Sequence, residues 1–269
     1  MDSSALTVVH RRRLRAVWRS AGWPCQDLVE VELLAAGWLE RLRDEAGRET
    51  LRVSDAGVQA LAATLQRNRA TRDAHEALVL RVAEEMQRAG RIAWRGLALR
   101  APVAGDSVAS APALAPSLLT SDDGVGPPDA APPAARWVMA MPDVYSIRHT
   151  TLEDQVLPIA HEVKVRRADL LSDLKRPAKG EAYRALASEC WYVLKAGIGQ
   201  PEEIPPDFGV MWAHPVAGRT PEEAPAFGAL EVLRPAPRRP FRLPLAVWMA
   251  LARAHALPPD EDQPQGALG

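Results

Sequence analysis

Three residues near the middle of this 269-residue chain have types and spacing suited to phosphodiester chemistry: Asp143, Glu162 and Lys164. Two carboxylates held close together repel each other unless a cation lies between them. Oxygen ligands in an open coordination shell favour Mg²⁺ or Mn²⁺, which would activate a bound water. Lys164 would orient that water or stabilise developing negative charge. The pattern predicts metal-assisted hydrolysis, with Asp143 and Glu162 as metal ligands.

Two strand-like segments must position these residues. Residues 157–166 alternate along a strand pattern, so Glu162 and Lys164 are expected on one face while Val163 is buried on the other. The bulky, largely apolar run 137–148 predicts a neighbouring strand that carries the aspartate. The aspartate and the glutamate could then meet across the strand pair.

The same residues permit a simpler interpretation. Glu162 and Lys164 could form a same-face surface ion pair of little energetic value, with Asp143 as a turn residue after Pro142. From average residue usage, such a pairing arises by chance in roughly one chain in ten of this length. The motif by itself therefore does not decide the function.

The surrounding pattern predicts an α/β (α+β) fold, with a mixed sheet flanked by helices. The predicted elements are, in order, a helix over 71–90, strands over 91–100, 137–148 and 157–166, helices over 168–174 and 179–190, strands over 191–194, 208–213 and 229–233, and a closing helix over 244–256.

Proline-aspartate followed by Glu-Val-Lys, in this order of elements, resembles the PD-(D/E)XK nuclease superfamily. Segments 161–174, 182–193 and 204–211 are similar to MmcB-type DNA-repair proteins within it. The resemblance implies a restriction-endonuclease-like mixed sheet flanked by helices. It also implies a Mg²⁺- or Mn²⁺-dependent deoxyribonuclease acting in DNA repair or processing. The alternative is a catalytically inactive nuclease fold that binds DNA or docks a protein, such as a transcriptional regulator.

In such nucleases a glutamate on the first helix often completes the metal site. Glu76, Glu84 and Glu85 are the candidates here. We favour Glu76, because its spacing from Leu80 and Ala83 predicts that it faces the sheet. A first-turn glutamate that complements the helix dipole is the alternative.

A basic run follows the motif. From residue 162 to residue 184 there are seven Lys or Arg residues against four acids. Such a patch beside a metal site is where a DNA backbone would lie, and a solvated helix face with ion pairs is the alternative. The formal net charge of −1 means that any such footprint is local. The predicted contacts in this run are Arg166, Arg167, Lys175, Arg176 and Lys179.

The N-terminal segment 1–66 resembles a winged helix-turn-helix domain, because two helical stretches precede a hairpin and a third helix begins after Ser54. Its expected recognition stretch 26–32 carries three acids and no Lys or Arg, which disfavours base readout. DNA phosphates would instead meet arginines such as Arg11, Arg12 and Arg13. Docking of a protein partner is the alternative role for this domain.

Composition supports two small globular domains, 1–66 and a nuclease-like domain over 67–256. An Ala/Pro-rich insertion over 101–135 contains no aromatic residue, Lys or Arg, and it is predicted to be disordered, as is the tail 257–269. Two cysteines are too few for a disulfide scaffold, so we expect a cytoplasmic protein. No apolar run is long enough to span a bilayer, and the sequence leaves the oligomeric state open.

Overall fold

The computed structural model describes residues 6–103, 136–218 and 223–258. The chain divides into two compact units, Met1–Asp73 and Ala74–Gly269. The division falls inside a helix, somewhat further along the chain than the boundary that the sequence predicts after residue 66.

The first unit contains two helices, an antiparallel hairpin and the beginning of a long helix: α1 (Val8–Arg19), α2 (Leu28–Ala35), β1 (Leu39–Arg43), β2 (Glu49–Val53) and α3 (Asp55–Arg88). Each helix starts at a polar cap. Thr7 and Asp27 accept hydrogen bonds from backbone amides of the first turn of α1 and α2, and the Ser54 hydroxyl accepts from Gly57. The predicted order of helices and hairpin is confirmed.

Helix α3 is continuous where the sequence analysis predicted two helices, one after Ser54 and one starting at Thr71. The physical reason is that no Gly or Pro interrupts the chain between Gly57 and Gly90. Gly90 lies in the left-handed region and ends the helix. Although α3 has 34 residues, no helix in the described ranges combines the length and apolar character that a membrane span requires.

Two of the predicted strands each prove to be a pair of shorter strands: β3 (Arg91–Arg95) and β4 (Leu99–Val103), then β5 (Arg136–Ala140) and β6 (Val144–Arg148). Gly96, at positive φ, turns the chain between the first two, and Met141-Pro142-Asp143 separates the second two. Strands β4 and β5 pair antiparallel in a two-stranded sheet of their own. Of the predicted insertion, only residues 101–103 are described, and they belong to β4.

The remaining elements are β7 (Ile159–Lys164), α4 (Arg167–Leu174), α5 (Pro177–Arg184), β8 (Glu189–Lys195), β9 (Gly209–Pro215), β10 (Phe227–Arg234) and α6 (Leu245–Arg253). The six-stranded sheet has the order β10-β9-β8-β7-β6-β3. Strands β7, β8 and β9 run parallel, and the other neighbours run antiparallel. The helix predicted over 179–190 ends at Arg184. Cys190, which was expected on that helix, lies inside β8.

Helices cover both faces of this sheet. The C-terminal part of α3 packs Leu78 and Val82 against a face that includes Val163. Helices α5 and α6 cover the opposite face, which includes Ala160 and Leu194. Beyond α6, the backbone amide of Leu257 donates to Ala93, so the first residue of the predicted disordered tail is held against β3. The predicted mixed sheet flanked by helices is confirmed.

The close contact of Gly209 with Trp191 on the neighbouring strand provides a test of core packing. A Cβ atom at Gly209 would overlap the buried indole of Trp191. We expect Gly209→Ala to destabilise the protein by about 1–3 kcal/mol, as overpacking does in close-packed cores. The matched control is Gly228→Ala on β10, where the nearest atom outside the chain neighbours lies 3.8 Å from the added Cβ. Urea unfolding that gives both variants the same free energy would contradict this account of the core.

Candidate functional site

Asp143 lies at the break between β5 and β6, where Pro142 ends the pairing of the first strand. Its Oδ2 accepts a hydrogen bond of 2.7 Å from the backbone amide of Val163 on β7. The structure thus places the aspartate directly beside the strand that carries Glu162 and Lys164.

Strand β7 presents Glu162 and Lys164 on one face, as predicted, and Val163 packs into the opposite core. The Lys164 ammonium donates to Oε1 of Glu162. The glutamate side chain is only 4% exposed. It is therefore a buried charge that requires partners, rather than half of a surface ion pair.

Glu162 belongs to a network that the sequence analysis did not predict. Lys179 Nζ donates to Glu162 Oε1 at 2.5 Å and to Asp173 Oδ1 at 2.7 Å. The hydroxyl of Tyr183 donates to Glu162 Oε2 at 2.6 Å. The hydroxyl of Tyr192 donates to Asp173 Oδ2 at 2.8 Å. Two acids and two lysines, together with two tyrosines, form one neutral, hydrogen-bonded cluster.

The secondary structure accounts for this convergence. Lys179 and Tyr183 are four residues apart on α5, so they share one face of the helix. Tyr192 is the register partner of Glu162 on the parallel strand β8 and lies on the same side of the sheet. Asp173 is a buried residue in the last turn of α4. The four-residue spacing of Lys179 and Tyr183 was the one feature of the local sequence that could have indicated this cluster.

The network controls the protonation of its members. Burial favours neutral Lys179, but the charges of Glu162 and Asp173 outweigh this effect and raise the pKa of the lysine. Burial opposes ionised Asp173 too, yet the hydrogen bond from Lys179 and the lysine charges lower its pKa. Burial, followed by the Glu162 charge, raises the pKa of Tyr183, so the phenol stays a donor. Asp173 and Lys179 are therefore ionised and paired at neutral pH.

The helix residue that meets Asp143 is His75, not Glu76. His75 Nε2 lies 3.4 Å from Asp143 Oδ1, and this contact is the main cause of the raised pKa of His75. Glu76 is 65% exposed, so the prediction that it faces the sheet is wrong. Leu80, which guided that prediction, is itself exposed, whereas the buried stripe includes Val79, four residues after His75.

The predicted DNA-binding cations after the motif have different environments. Arg166, Lys175 and Arg176 are exposed. Arg167 forms a two-pronged ion pair with Glu203 and also donates to a backbone carbonyl. Lys179 is half-buried in the network described above. Three of the five cations are therefore free to meet solvent or a phosphate.

The N-terminal arginines are likewise divided. Arg13 pairs through both terminal nitrogens with Asp27, the cap of α2. Arg11 donates to the carbonyl of Leu6 at 2.5 Å. Arg12 is exposed. Arg13 and Arg11 thus have structural contacts within the first unit, and Arg12 faces solvent.

His161, next to the motif, points into the core. It is fully buried, and neither ring nitrogen has a hydrogen-bond partner among the residues that the structure describes. Burial, with a smaller contribution from the charge of Arg91, lowers the pKa of His161 to about 3. The neutral ring is therefore a core residue at physiological pH.

Among the described residues, no group of three or more His, Cys, Asp or Glu side chains is arranged to hold a metal ion. The two predicted metal ligands, Asp143 and Glu162, are therefore not part of such a group. No protein-family model matches this chain, and comparison with curated proteins and solved structures likewise gives no significant match. Inference about function rests on the site itself.

The bond from Tyr183 to Glu162 gives a prediction for the stability of the site. Tyr183→Phe removes a donor from a buried carboxylate and should cost about 1.5–3 kcal/mol, as for hydrogen bonds to charged groups. Tyr145→Phe is the matched control, because the hydroxyl of Tyr145 is also buried but donates to the neutral carbonyl of Leu186. That variant should lose only about 0.5–1.5 kcal/mol. Equal losses in urea unfolding would argue against an ionised Glu162.

Proposed function

We propose that this protein is a metal-dependent DNA nuclease acting in DNA repair or processing, and that its nuclease-like domain is restriction-endonuclease-like. The observation that carries the proposal is that Asp143 accepts a hydrogen bond from the backbone amide of Val163, the residue between Glu162 and Lys164 on β7. An acid pair with an adjacent lysine is the donor set that metal-assisted phosphodiester hydrolysis requires.

Asp143 and Glu162 would supply only part of the coordination shell of Mg²⁺ or Mn²⁺. Mg²⁺ often binds through one or two carboxylates and takes its other ligands from water and substrate phosphates, so Asp143 and Glu162 would suffice. Glu162 Oε1 already accepts two ammonium groups, so an ion at that oxygen would have to displace Lys164 or Lys179. When bound, the ion would polarise the phosphodiester and lower the pKa of a water.

The other residues of the site would have supporting roles. Lys164 would orient the attacking water or stabilise charge on the phosphate oxygens. Lys179 and Tyr183 hold the Glu162 carboxylate in one orientation, and the Val163 amide does the same for Asp143. These are positioning residues, since their contacts are with the acids.

The DNA backbone would contact the exposed cations that flank α4, Arg166 before it and Lys175 and Arg176 after it. In the first unit, whose order of elements resembles a winged helix, the exposed Arg12 would add a phosphate contact. The acids of α2 disfavour base readout there, so a protein partner for this unit is the alternative.

A second candidate function is a catalytically inactive nuclease fold that binds DNA or docks a protein, such as a transcriptional regulator. It is favoured by the engagement of both Glu162 oxygens with Lys164, Lys179 and Tyr183. The lack of a three-residue metal group in the described part of the chain favours it too. Cleavage of several DNA forms with and without Mg²⁺ or Mn²⁺ separates the two candidates.

Metal binding is tested by thermal unfolding. Mg²⁺ or Mn²⁺ should raise the melting temperature of the wild-type protein, because an ion bound only to the native state stabilises it by mass action, and EDTA should reverse the shift. Asp143→Asn should abolish the response. Asp169→Asn, at an exposed acid on α4, is the control that should retain it. A full metal response in the Asp143 variant would remove this residue from the site.

The role of Lys164 is tested by kinetics. Lys164→Ala should lower the cleavage rate at saturating DNA by about 10²-fold or more, as for loss of one preorganised charge, with DNA affinity little changed. Lys175→Ala, at an exposed cation, should instead weaken DNA binding and leave the saturated rate intact. Lys164→Ala with a rate within a few-fold of wild type would reject the catalytic assignment.

A further inference from the structure

A groove of about 680 Å³ lies between strand β5 and helix α5. Its size is that of a pocket that encloses a small organic group. The β5 side is lined by Val138, Met139, Ala140 and Met141, and the α5 side by Arg176, Pro177, Ala178, Lys179, Ala182 and Tyr183.

The β5 side exposes unusually apolar side chains. Trp137, Met139 and Met141 alternate along the chain and are 52%, 63% and 58% exposed, while Val138 and Ala140 pack towards the core. Met139 and Met141 line the groove, and Trp137 lies beside it on the same strand. The guanidinium of Arg100 lies 6.0 Å from the centre of the Trp137 ring. Three adjacent large apolar side chains on one exposed face indicate a binding surface.

The charge of the groove indicates what it binds. Among the described residues, its charged lining residues are the exposed Arg176 and Lys179, whose ammonium is paired with Glu162 and Asp173, and no described acid lines it. At its inner side, Tyr183 also donates to Glu162, so the groove reaches the candidate active site. An occupant must therefore combine flat apolar surface with negative charge.

We propose that the groove receives unpaired nucleobases of single-stranded DNA, with the phosphates of that strand towards Arg176. Bases have a sequence-independent π face that stacks on aromatic and apolar side chains, whereas a duplex keeps its bases stacked inside. This inference rests on the proposed nuclease function and names its substrate class. In this proposal, the DNA strand that is cut is unpaired where it lies in the groove beside the candidate active site.

Fluorescence anisotropy of fluorescein-labelled DNA, measured in EDTA so that no cleavage occurs, tests whether the groove binds unpaired bases. The probes are a single strand, a blunt duplex of the same sequence, and a single strand with consecutive abasic positions. The single strand should bind about 10-fold or more tightly than the abasic strand, which has the same phosphates but no bases to stack. Equal affinity for the two would overturn the proposal.

Variants then locate the contact. Met139→Glu places a carboxylate in the groove and Trp137→Ala removes the indole, and each should weaken single-strand binding by about 10-fold, with duplex affinity within two-fold of wild type. Met249→Glu, at another exposed methionine on α6, is the matched control and should leave both affinities unchanged. Circular dichroism melting checks that the variants are folded.

The outcomes separate the two proposals. Loss of single-strand affinity in Met139→Glu with intact folding supports the groove, even where no metal yields cleavage, which would reject only the nuclease function. Equal weakening of single-strand and duplex binding, or no change in either, rejects the groove. A change in oligomeric state on size exclusion with unchanged DNA binding also rejects it, since the surface would then contact a second copy of the chain.

Discussion

The buried carboxylate of Glu162 is the constraint on which the site depends. An ionised group with 4% of its side chain exposed is costly unless charges and donors surround it. Three partners, Lys164, Lys179 and Tyr183, meet that requirement from β7 and α5. The position of α5 over the sheet is thus fixed by charge as well as by apolar packing. The same helix forms one wall of the groove beside β5.

The parts of the site that sequence could predict are those set by the local period of a strand. The alternation in β7 places Glu162 and Lys164 together and Val163 opposite, and no other part of the chain is needed to know this. The mixed sheet and its helices follow from the same kind of pattern. Asp143 was correctly placed beside β7, although it lies at a strand break rather than within a strand.

Contacts between distant segments could not be predicted. The run from Trp137 to Arg148 is largely apolar, and its composition does not reveal that the chain passes from one sheet to another near Pro142. The turn between α4 and α5 brings Lys179 to two buried acids. A basic run in the sequence predicts only that its cations are exposed and can contact phosphates. The prediction that Glu76 faces the sheet failed because the exposed Leu80 was taken to mark the buried stripe, and the helix residue beside Asp143 is His75.

The residues of the network lie close together in the sequence, whereas Asp143 lies outside their stretch of the chain. Among the described residues, every side chain that binds Glu162 or Asp173 lies within the single stretch from residue 162 to residue 192. Asp143 lies outside that stretch and reaches it where β6 pairs with β7. A slip of one residue in that register would move the aspartate away from the Val163 amide and would also turn the side chains of β6 to the opposite faces of the sheet. Val144 and Tyr145 are buried in different cores on the two sides of the sheet, so a register error that separates the two acids is disfavoured by the packing itself.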